Sequence, residues 1–265
     1  MSAPLILISN DDGIQAAGLR ALCEAMLPLG EVVVMAPEVE RSAAGHAITL
    51  SDPLRVNEVD LGLSGVTAYA CSGTPADCVK LAVLSVLPRR PSLVVSGINH
   101  GSNTGINVIY SGTISAATEG TILGIPSAAF SVARWTNPEF GPAKAISYQV
   151  AQRILVQGLP EGTLLNVNIP DLPAEELPVG SLEGRGYALT VHGKADWQDR
   201  FDRRVDPQER VYYWLAGRKR ERQEPPNTDE ETLKAGKVSI TPLHYDLTHH
   251  SYLTDLAKWD LFRTN

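Results

Sequence analysis

Cysteine is scarce in this chain: 3 in 265 residues, at Cys23, Cys71 and Cys78. An odd number, without zinc-site spacing, excludes a disulfide framework and fits a reducing compartment. No segment reaches the roughly eighteen consecutive apolar residues of a membrane-spanning helix. The start, Met1-Ser2-Ala3-Pro4, has no basic region leading into an apolar run,. Basic residues number 23 against 30 acidic ones, for a formal charge of −7, the wrong sign for a general nucleic-acid-binding surface,. The expectation is a cytoplasmic protein with neither a membrane nor a nucleic-acid polymer as partner. Two nucleotide-binding signatures are also missing. No G-x-G-x-x-G follows the first apolar run, and G-x-x-x-x-G-K-[ST] occurs nowhere, which excludes a dinucleotide-binding dehydrogenase and a P-loop NTPase,.

What is present is alternation. Leu5-Ile6-Leu7-Ile8 reads as a strand buried on both faces of a parallel sheet. Leu19, Leu22, Cys23 and Met26 follow at amphipathic-helix spacing, with Gly30 suited to the helix end,. Further strands are predicted at 31–36, 92–98, 126–131 and 163–169, extended segments at 48–59 and 66–71, and helices from Thr74-Pro75, over 113–123 and over 141–156. Thr74 reads as a cap, with Pro75 at the first helical position and Asp77 in the first turn. The pattern predicts an α/β fold, a doubly wound, mostly parallel sheet over residues 1–170. Beyond it, residues 171–265 read as a C-terminal extension packed on the core as one domain. Segments 187–192 and 211–216 look like strands of a projecting hairpin, with charge clusters at 199–204 and 218–222. A capping-box start at Thr228-Asp229-Glu230-Glu231, a helix stop at Gly236, a short strand at 238–241 and a closing helix at 251–262 complete the chain,. An exposed hairpin leaves Tyr212, Tyr213 and Trp214 uncovered, which predicts a partner subunit.

The chemistry sits at predicted strand ends. Ser9-Asn10-Asp11-Asp12-Gly13 follows the first strand, at the sheet edge where open α/β folds bind ligands. Two adjacent carboxylates there repel and lose hydration, and a divalent metal is the simplest compensation. A polar Asp-Asp-Gly turn capping the next helix is the competing reading of that stretch alone. Their adjacency differs from the Asp-x-Asp of haloacid-dehalogenase phosphatases. Three more polar loops should leave the same edge: 36–46 with Ser42, 99–105 with Asn99, His100 and Asn103, and Tyr110-Ser111-Gly112-Thr113 before a helix. Carboxylate, hydroxyl and amide oxygens suit Mg²⁺ or Mn²⁺. A helix start with two hydroxyls suits a phosphate. His100 and Tyr110 are candidate pocket walls. Each loop alone also reads as ordinary turn chemistry.

The strings ISNDDGIQAAG (8–18), APEVERSAAGHAITL (36–50), SGTPADCVKLA (72–82), SGINHGSNTGINVIYSGTISAATEG (96–120) and VSITPLHYDLT (238–248) resemble the SurE family, the stationary-phase survival nucleotidases. The resemblance runs in order along almost the whole chain and is weakest over 132–162 and 171–225. It implies a Rossmann-like core whose C-terminal extension is exchanged between subunits of a homodimer or homotetramer. It further implies divalent-metal-dependent hydrolysis of nucleoside 5′- and 3′-monophosphates, with short-chain polyphosphate as a further substrate. The metal, one Mg²⁺ or Mn²⁺ per subunit, falls to Asp11, Asp12, Ser42 and Asn99. Asn103, Ser111, Gly112 and Thr113 match phosphate-pocket positions, and Asn10 and Gly13, flanking the acidic pair, join the substrate-binding set. Asp246 and His250 resemble an Asp/His pair proposed as catalytic in some members, beside Asp11 and Asp12; here His249 directly precedes His250. A metal-activated water or a direct aspartate attack would each account for hydrolysis. A non-catalytic nucleotide-binding protein is the alternative.

Overall fold

Every residue of β1, Leu5–Ser9, is buried. Period-two alternation sends Ile6 and Ile8 to one apolar layer and Leu7 to the other,. The computed structural model describes residues 3–136, 138–173, 186–194, 197–220, 223–259 and 261. Around β1 the chain builds α1 (Ala17–Met26), β2 (Glu31–Pro37), β3 (Val56–Val59), β4 (Val66–Cys71), α2 (Pro75–Leu81), a π-helical turn over Ala82–Val86, β5 (Leu93–His100), α3 (Asn107–Tyr110) and α4 (Gly112–Ile122). β6 (Ser127–Val132), α5 (Gly141–Gln157), β7 (Thr163–Ile169), β8 (Tyr187–Leu189), β9 (Trp197–Val205), β10 (Val211–Lys219), α6 (Asp229–Lys234), β11 (Val238–His244) and α7 (His250–Leu256) follow.

Among the described residues the main sheet has nine strands in the order β3-β4-β2-β1-β5-β6-β7-β11-β8. The six from β4 to β7 run parallel. The chain first steps outward from β1 through β2 to β4, then returns to place β5 on the other side of β1. The order therefore reverses between β1 and β5, and their carboxyl ends flank the crevice where such sheets take ligands. Helices α1 and α5 share one core with Ile6, Ile8, Val34, Val95 and Phe130. On the other face, α2 and α4 enclose Leu7, Met35, Val94 and Ala116.

The predicted α/β core is present, with local differences. Of the extended segment 48–59 only 56–59 pairs, antiparallel to β4 at the sheet edge. Helix α1 stops at Met26, and Gly30 serves instead where the chain passes close to the Pro4 backbone. The predicted caps divide. Thr74 accepts from Asp77 N at 3.1 Å and Asp77 Oδ2 from Thr74 N at 3.0 Å, a reciprocal box. The Thr228 hydroxyl turns away and donates to Pro225 O at 2.9 Å.

The projecting hairpin exists with a different partner. β10 pairs with the charged strand β9, whereas β8 joins the main sheet beside β11. The hairpin turn is held by Asp206, which accepts from Arg210 N at 2.9 Å and Arg210 Nε at 2.8 Å. Phe201, Tyr213, Trp214 and Leu215 on it are exposed. β11 runs on to His244, and α7 covers 250–256 of the predicted closing helix. Residues 221–222 of the second charge cluster, and Phe262, lie outside the described residues.

Candidate functional site

A buried strand must release its chain at the sheet edge, and here the first residues released are Asn10, Asp11 and Asp12. Asp11 is buried and its Oδ1 accepts the Thr113 hydroxyl at the start of α4. That approach depends on Gly112: a Cβ there would stand 2.6 Å from Asp11 Cβ and 2.9 Å from Oδ2. Burial pushes the Asp11 carboxyl above its ordinary range, against the pull of the Thr113 hydroxyl and the backbone N–H groups of Asp11, Thr113 and Gly112,. Asp12 is pushed up to about 6, first by burial, then by the charge of Asp11; Glu40 raises it further while His100 lowers it,.

The loop after β2 closes over this edge. Arg41 N donates to Asp11 O at 2.7 Å, Ile14 N to Pro37 O at 2.8 Å and Gly45 N to Tyr110 O at 3.0 Å. Gly13 takes φ +97°, and a Cβ there would crowd Glu40 N at 3.3 Å. Ser42, carried by this loop, donates its hydroxyl to Glu40 Oε1 at 2.6 Å and keeps its oxygen lone pairs,. From β5, whose register shifts between Ser96 and Asn99, Asn99 Nδ2 donates to Gly101 O at 2.7 Å. Its amide oxygen is thereby the atom it has to offer.

Asp11, Asp12, Glu40, Ser42, Asn99, His100, Asn103, Asn107, Tyr110, Ser111 and Trp135 line one cavity of about 360 Å³, together with Ala43 and Ser102. Four segments far apart in the chain thus bring the predicted ligand set to one place. Among the described residues, neither lysine nor arginine lines it. Three carboxylates, two of them held above their ordinary range, call for a cation. The donor set of carboxylate, hydroxyl and amide oxygens fits a hard divalent ion. Among the described residues no cluster of three or more His, Cys, Asp and Glu has metal-ligand geometry, so such an ion would draw on Ser42 and Asn99 as well.

The predicted substrate-binding residues divide. Asn103 and Ser111 reach the cavity wall. Ser111 caps α4 by accepting Ile114 N at 3.1 Å. Asn10, Gly13, Gly112 and Thr113 do not line it. The Asn10 side chain is buried and donates to Gly13 O at 3.0 Å, holding the turn. The predicted walls His100 and Tyr110 both line the cavity.

Asp246 and His250 form the predicted pair, with His250 Nε2 2.7 Å from Asp246 Oδ2. Hydrogen bonds from Thr248, then His250, hold the Asp246 carboxyl well below its usual range. His249 stacks on Tyr252 instead. The pair is exposed and lies far from the cavity of its own chain. β11 runs antiparallel to β7 and ends with His244 beside Thr163, the first residue of β7. Asp246 therefore follows the sheet edge opposite to the one that releases Asp11 and Asp12.

Glu40, Trp135, Asn166 and Asn168 escape the sequence reading. Asn168 Oδ1 accepts Asn103 N at 2.8 Å, and Asn166 Nδ2 donates to Asn103 O at 2.8 Å. The signal was Asn-x-Asn inside an otherwise apolar strand, where buried amides persist only when hydrogen-bonded.

With this geometry in hand, the profile described as Survival protein SurE matches residues 6–199. The chain belongs to the SurE family. It is 47% identical over 260 residues to the 5′-nucleotidase SurE of Christiangramia forsetii, covering 97% of each chain. It is 48% identical over 255 residues to that of Moorella thermoacetica, covering 96% of this chain and 95% of the other. The crystal structure of the SurE protein from Aquifex aeolicus superposes with a TM-score of 0.81 at 39% identity, over 96% of this chain and 98% of that one. The doubly wound SurE core is thus common to both, and among the described residues no helix is long and apolar enough to cross a membrane.

Proposed function

We propose that this chain is a 5′-nucleotidase that hydrolyses nucleoside 5′-monophosphates to nucleoside and inorganic phosphate. A divalent cation, Mg²⁺ or Mn²⁺, one per subunit, is held by Asp11, Asp12, Ser42 and Asn99. One observation carries the reading: among the described residues, Asp11, Asp12 and Glu40 converge without lysine or arginine on a cavity that Ser111, the cap of α4, also lines. The names of the relatives agree with it. Nucleoside 3′-monophosphates and short-chain polyphosphate are further substrates of the same phosphoryl seat. Buried, unbridged cysteines accord with a cytoplasmic location,.

Bound at this site, the cation supplies Lewis-acid polarisation of a phosphoryl oxygen and acidifies water. The residues of the chain do the rest. Asn103, its backbone fixed by Asn166 and Asn168 and its Nδ2 donating to Ser131 Oγ at 2.9 Å, has its second amide N–H for the phosphoryl group. The amino end of α4, its first N–H groups taken by Asp11 and by the Ser111 hydroxyl, turns the positive end of its dipole toward oxygens that gain charge during transfer. Thr113 keeps Asp11 oriented through its hydroxyl, and His100 does the same for Asp12. Leaving-group protonation falls to His250, oriented by Asp246. Because that pair leaves the opposite sheet edge, it enters the site of a second subunit through the exchanged C-terminal extension of a homodimer or homotetramer.

The test is phosphate release from AMP with Mg²⁺ or Mn²⁺, repeated with chelator. Turnover that chelator abolishes and added metal restores is the expected result. AMP binding without phosphate release in either metal would identify a non-catalytic nucleotide-binding protein and overturn the proposal.

A further inference from the structure

Beside the phosphoryl cavity lies a second hollow of about 610 Å³, lined by Asp12, Ala16, Ala17, Gly18, Glu40, His100, Trp135, Pro138 and Phe140. Asp12, Glu40, His100 and Trp135 border both spaces. The two therefore adjoin, so the second lies within reach of the remainder of a molecule whose phosphate occupies the first. Asp12, Glu40 and His100 give the second hollow a polar side, and Ala16, Ala17, Pro138 and Phe140 supply it with an apolar wall that the first lacks.

Trp135 is the shared element of greatest area. A Cβ built on Gly101 would stand 2.8 Å from each of Cε3, Cζ3 and Cη2 of its indole. Three successive ring atoms can be equidistant from one point only if that point lies over the ring face, on the axis of the six-membered ring. The indole is therefore laid flat on the Gly101 backbone. Gly101 N is itself fixed, donating to Val132 O at 2.9 Å and Arg134 O at 3.0 Å. One ring face is thus occupied by a peptide and the residue is still 67% exposed. A tryptophan with one face backed by rigid chain and the other open beside a ligand cavity is a stacking platform.

We infer that Trp135 is a specificity-determining residue, and that its open indole face, with the hollow bounded by Ala16, Ala17 and Phe140, seats the nucleobase of the substrate. This inference rests on the nucleotidase reading for the identity of the phosphate group but concerns the other end of the molecule. Stacking is tolerant of base identity, because every base has a π-face. The seat therefore discriminates nucleotides from sugar phosphates more than one base from another.

Ribose 5-phosphate carries the same phosphate and sugar as AMP without the base, so the pair isolates the contact. In wild type, AMP is expected to have a KM about tenfold below that of ribose 5-phosphate. Trp135→Ala should raise the KM for AMP about tenfold, leave the KM for ribose 5-phosphate unchanged and alter kcat little for either. Trp135→Phe keeps an aromatic face and should restore most of the AMP preference. An equal change in KM for both substrates would make Trp135 a prop for the Gly101 loop and overturn the seat, as would no change for AMP. If neither compound is hydrolysed the nucleotidase reading falls, and calorimetric titration with each compound then decides the seat. AMP affinity weakened in Trp135→Ala but not in Trp135→Phe, with ribose 5-phosphate unaffected, upholds it; AMP affinity unchanged in Trp135→Ala overturns it.

Discussion

Asp12 Oδ1 and His100 Nδ1 meet 3.0 Å apart across the point where the strand order reverses. One follows β1 and the other ends β5, the neighbours that a doubly wound sheet brings together although some ninety residues separate them in the chain. The contact favours the charged carboxylate, yet burial and Asp11 outweigh it, and Asp12 ends at about 6.

A stability prediction follows from that balance. The folded value lies above the 3.8 of a free aspartate. The contribution of Asp12 to stability is therefore fully present below about pH 4 and lost as the pH rises through 6. Asp12→Asn should stabilise the metal-free protein above pH 6 by about 1–2 kcal/mol and remove this part of its pH dependence. Urea denaturation in chelator at pH 5 and pH 7.5 measures both. The same variant should lose at least about a hundredfold in phosphate release with Mn²⁺. Metal affinity in wild type should tighten as pH rises through about 6, read by calorimetry,.

Gly112 sets how closely α4 approaches Asp11. Gly112→Ala places a methyl group 2.6 Å from Asp11 Cβ, so the helix start or the carboxylate must shift. A destabilisation of about 1–3 kcal/mol is expected, with at least a tenfold loss of metal affinity, since ligand placement tolerates little displacement. Thermal unfolding and metal titration separate the two effects. Unchanged metal affinity would show that Asp11 is not positioned from α4.

These residues differ in how visible they are in the sequence. Asp11 and Asp12 stand out because they are adjacent and follow the apolar run Leu5–Ile8 after only Ser9 and Asn10. The main sheet was legible for the same reason: β1, β2 and β5 are continuous apolar runs that only a doubly covered sheet can bury. β9 was not, because Gln198-Asp199-Arg200-Phe201-Asp202-Arg203-Arg204 presents no continuous apolar face for the main core and, among the described residues, pairs only with β10. Without that strand, 187–192 became the nearest partner for β10. Glu40, Trp135 and Asn168 act through contacts with segments tens of residues away, which no local pattern encodes. Thr228 carried the right cap spacing, but Asp229 on the next position accepts from Gly105 N and Gly193 N, at 2.9 and 3.0 Å, and tertiary docking displaces the local cap.

Glu119 anchors the Ser42 loop from the side. Its carboxylate lies 2.6 Å from Lys80 Nζ and 2.9 Å from His46 Nε2, and hydrogen bonds from His46 and Lys80 outweigh burial to lower it below the ordinary 4.5. A depressed carboxylate stabilises above the unfolded value and loses that stabilisation as pH falls through the folded one. Glu119→Gln should therefore cost about 1–3 kcal/mol at pH 7, discounted for the partial exposure of Lys80. The gap to wild type should narrow as the pH drops below about 4.5. Denaturation curves at pH 7 and pH 4 check the sign. A gap that widened on acidification would exclude the ion pair as its source.

The opposite-edge placement of Asp246 and His250 yields the sharpest separation of outcomes. β11 spans seven residues, about 23 Å at 3.3 Å per residue, and only one residue lies between its end and Asp246. The pair cannot return to the cavity of its own subunit without dismantling the strand. If it serves the site of a second subunit, Asp12→Asn and His250→Ala chains damage different halves of that site. Each homo-oligomer should be nearly inactive. In a mixed dimer, the site bearing intact Asp12 receives intact His250 from the other chain. Statistical co-assembly of equal amounts should then recover about a quarter of wild-type phosphate release. Co-refolding the two chains from mixtures of varied subunit ratio, with activity followed against that ratio, gives the measurement. Recovery that never rises above the two separate variants would place His250 outside the reaction or confine it to its own chain. Removing the exposed apolar surface of the hairpin, by Trp214→Ser with Leu215→Ser, should weaken assembly and lower activity together, read by light scattering beside the phosphate assay.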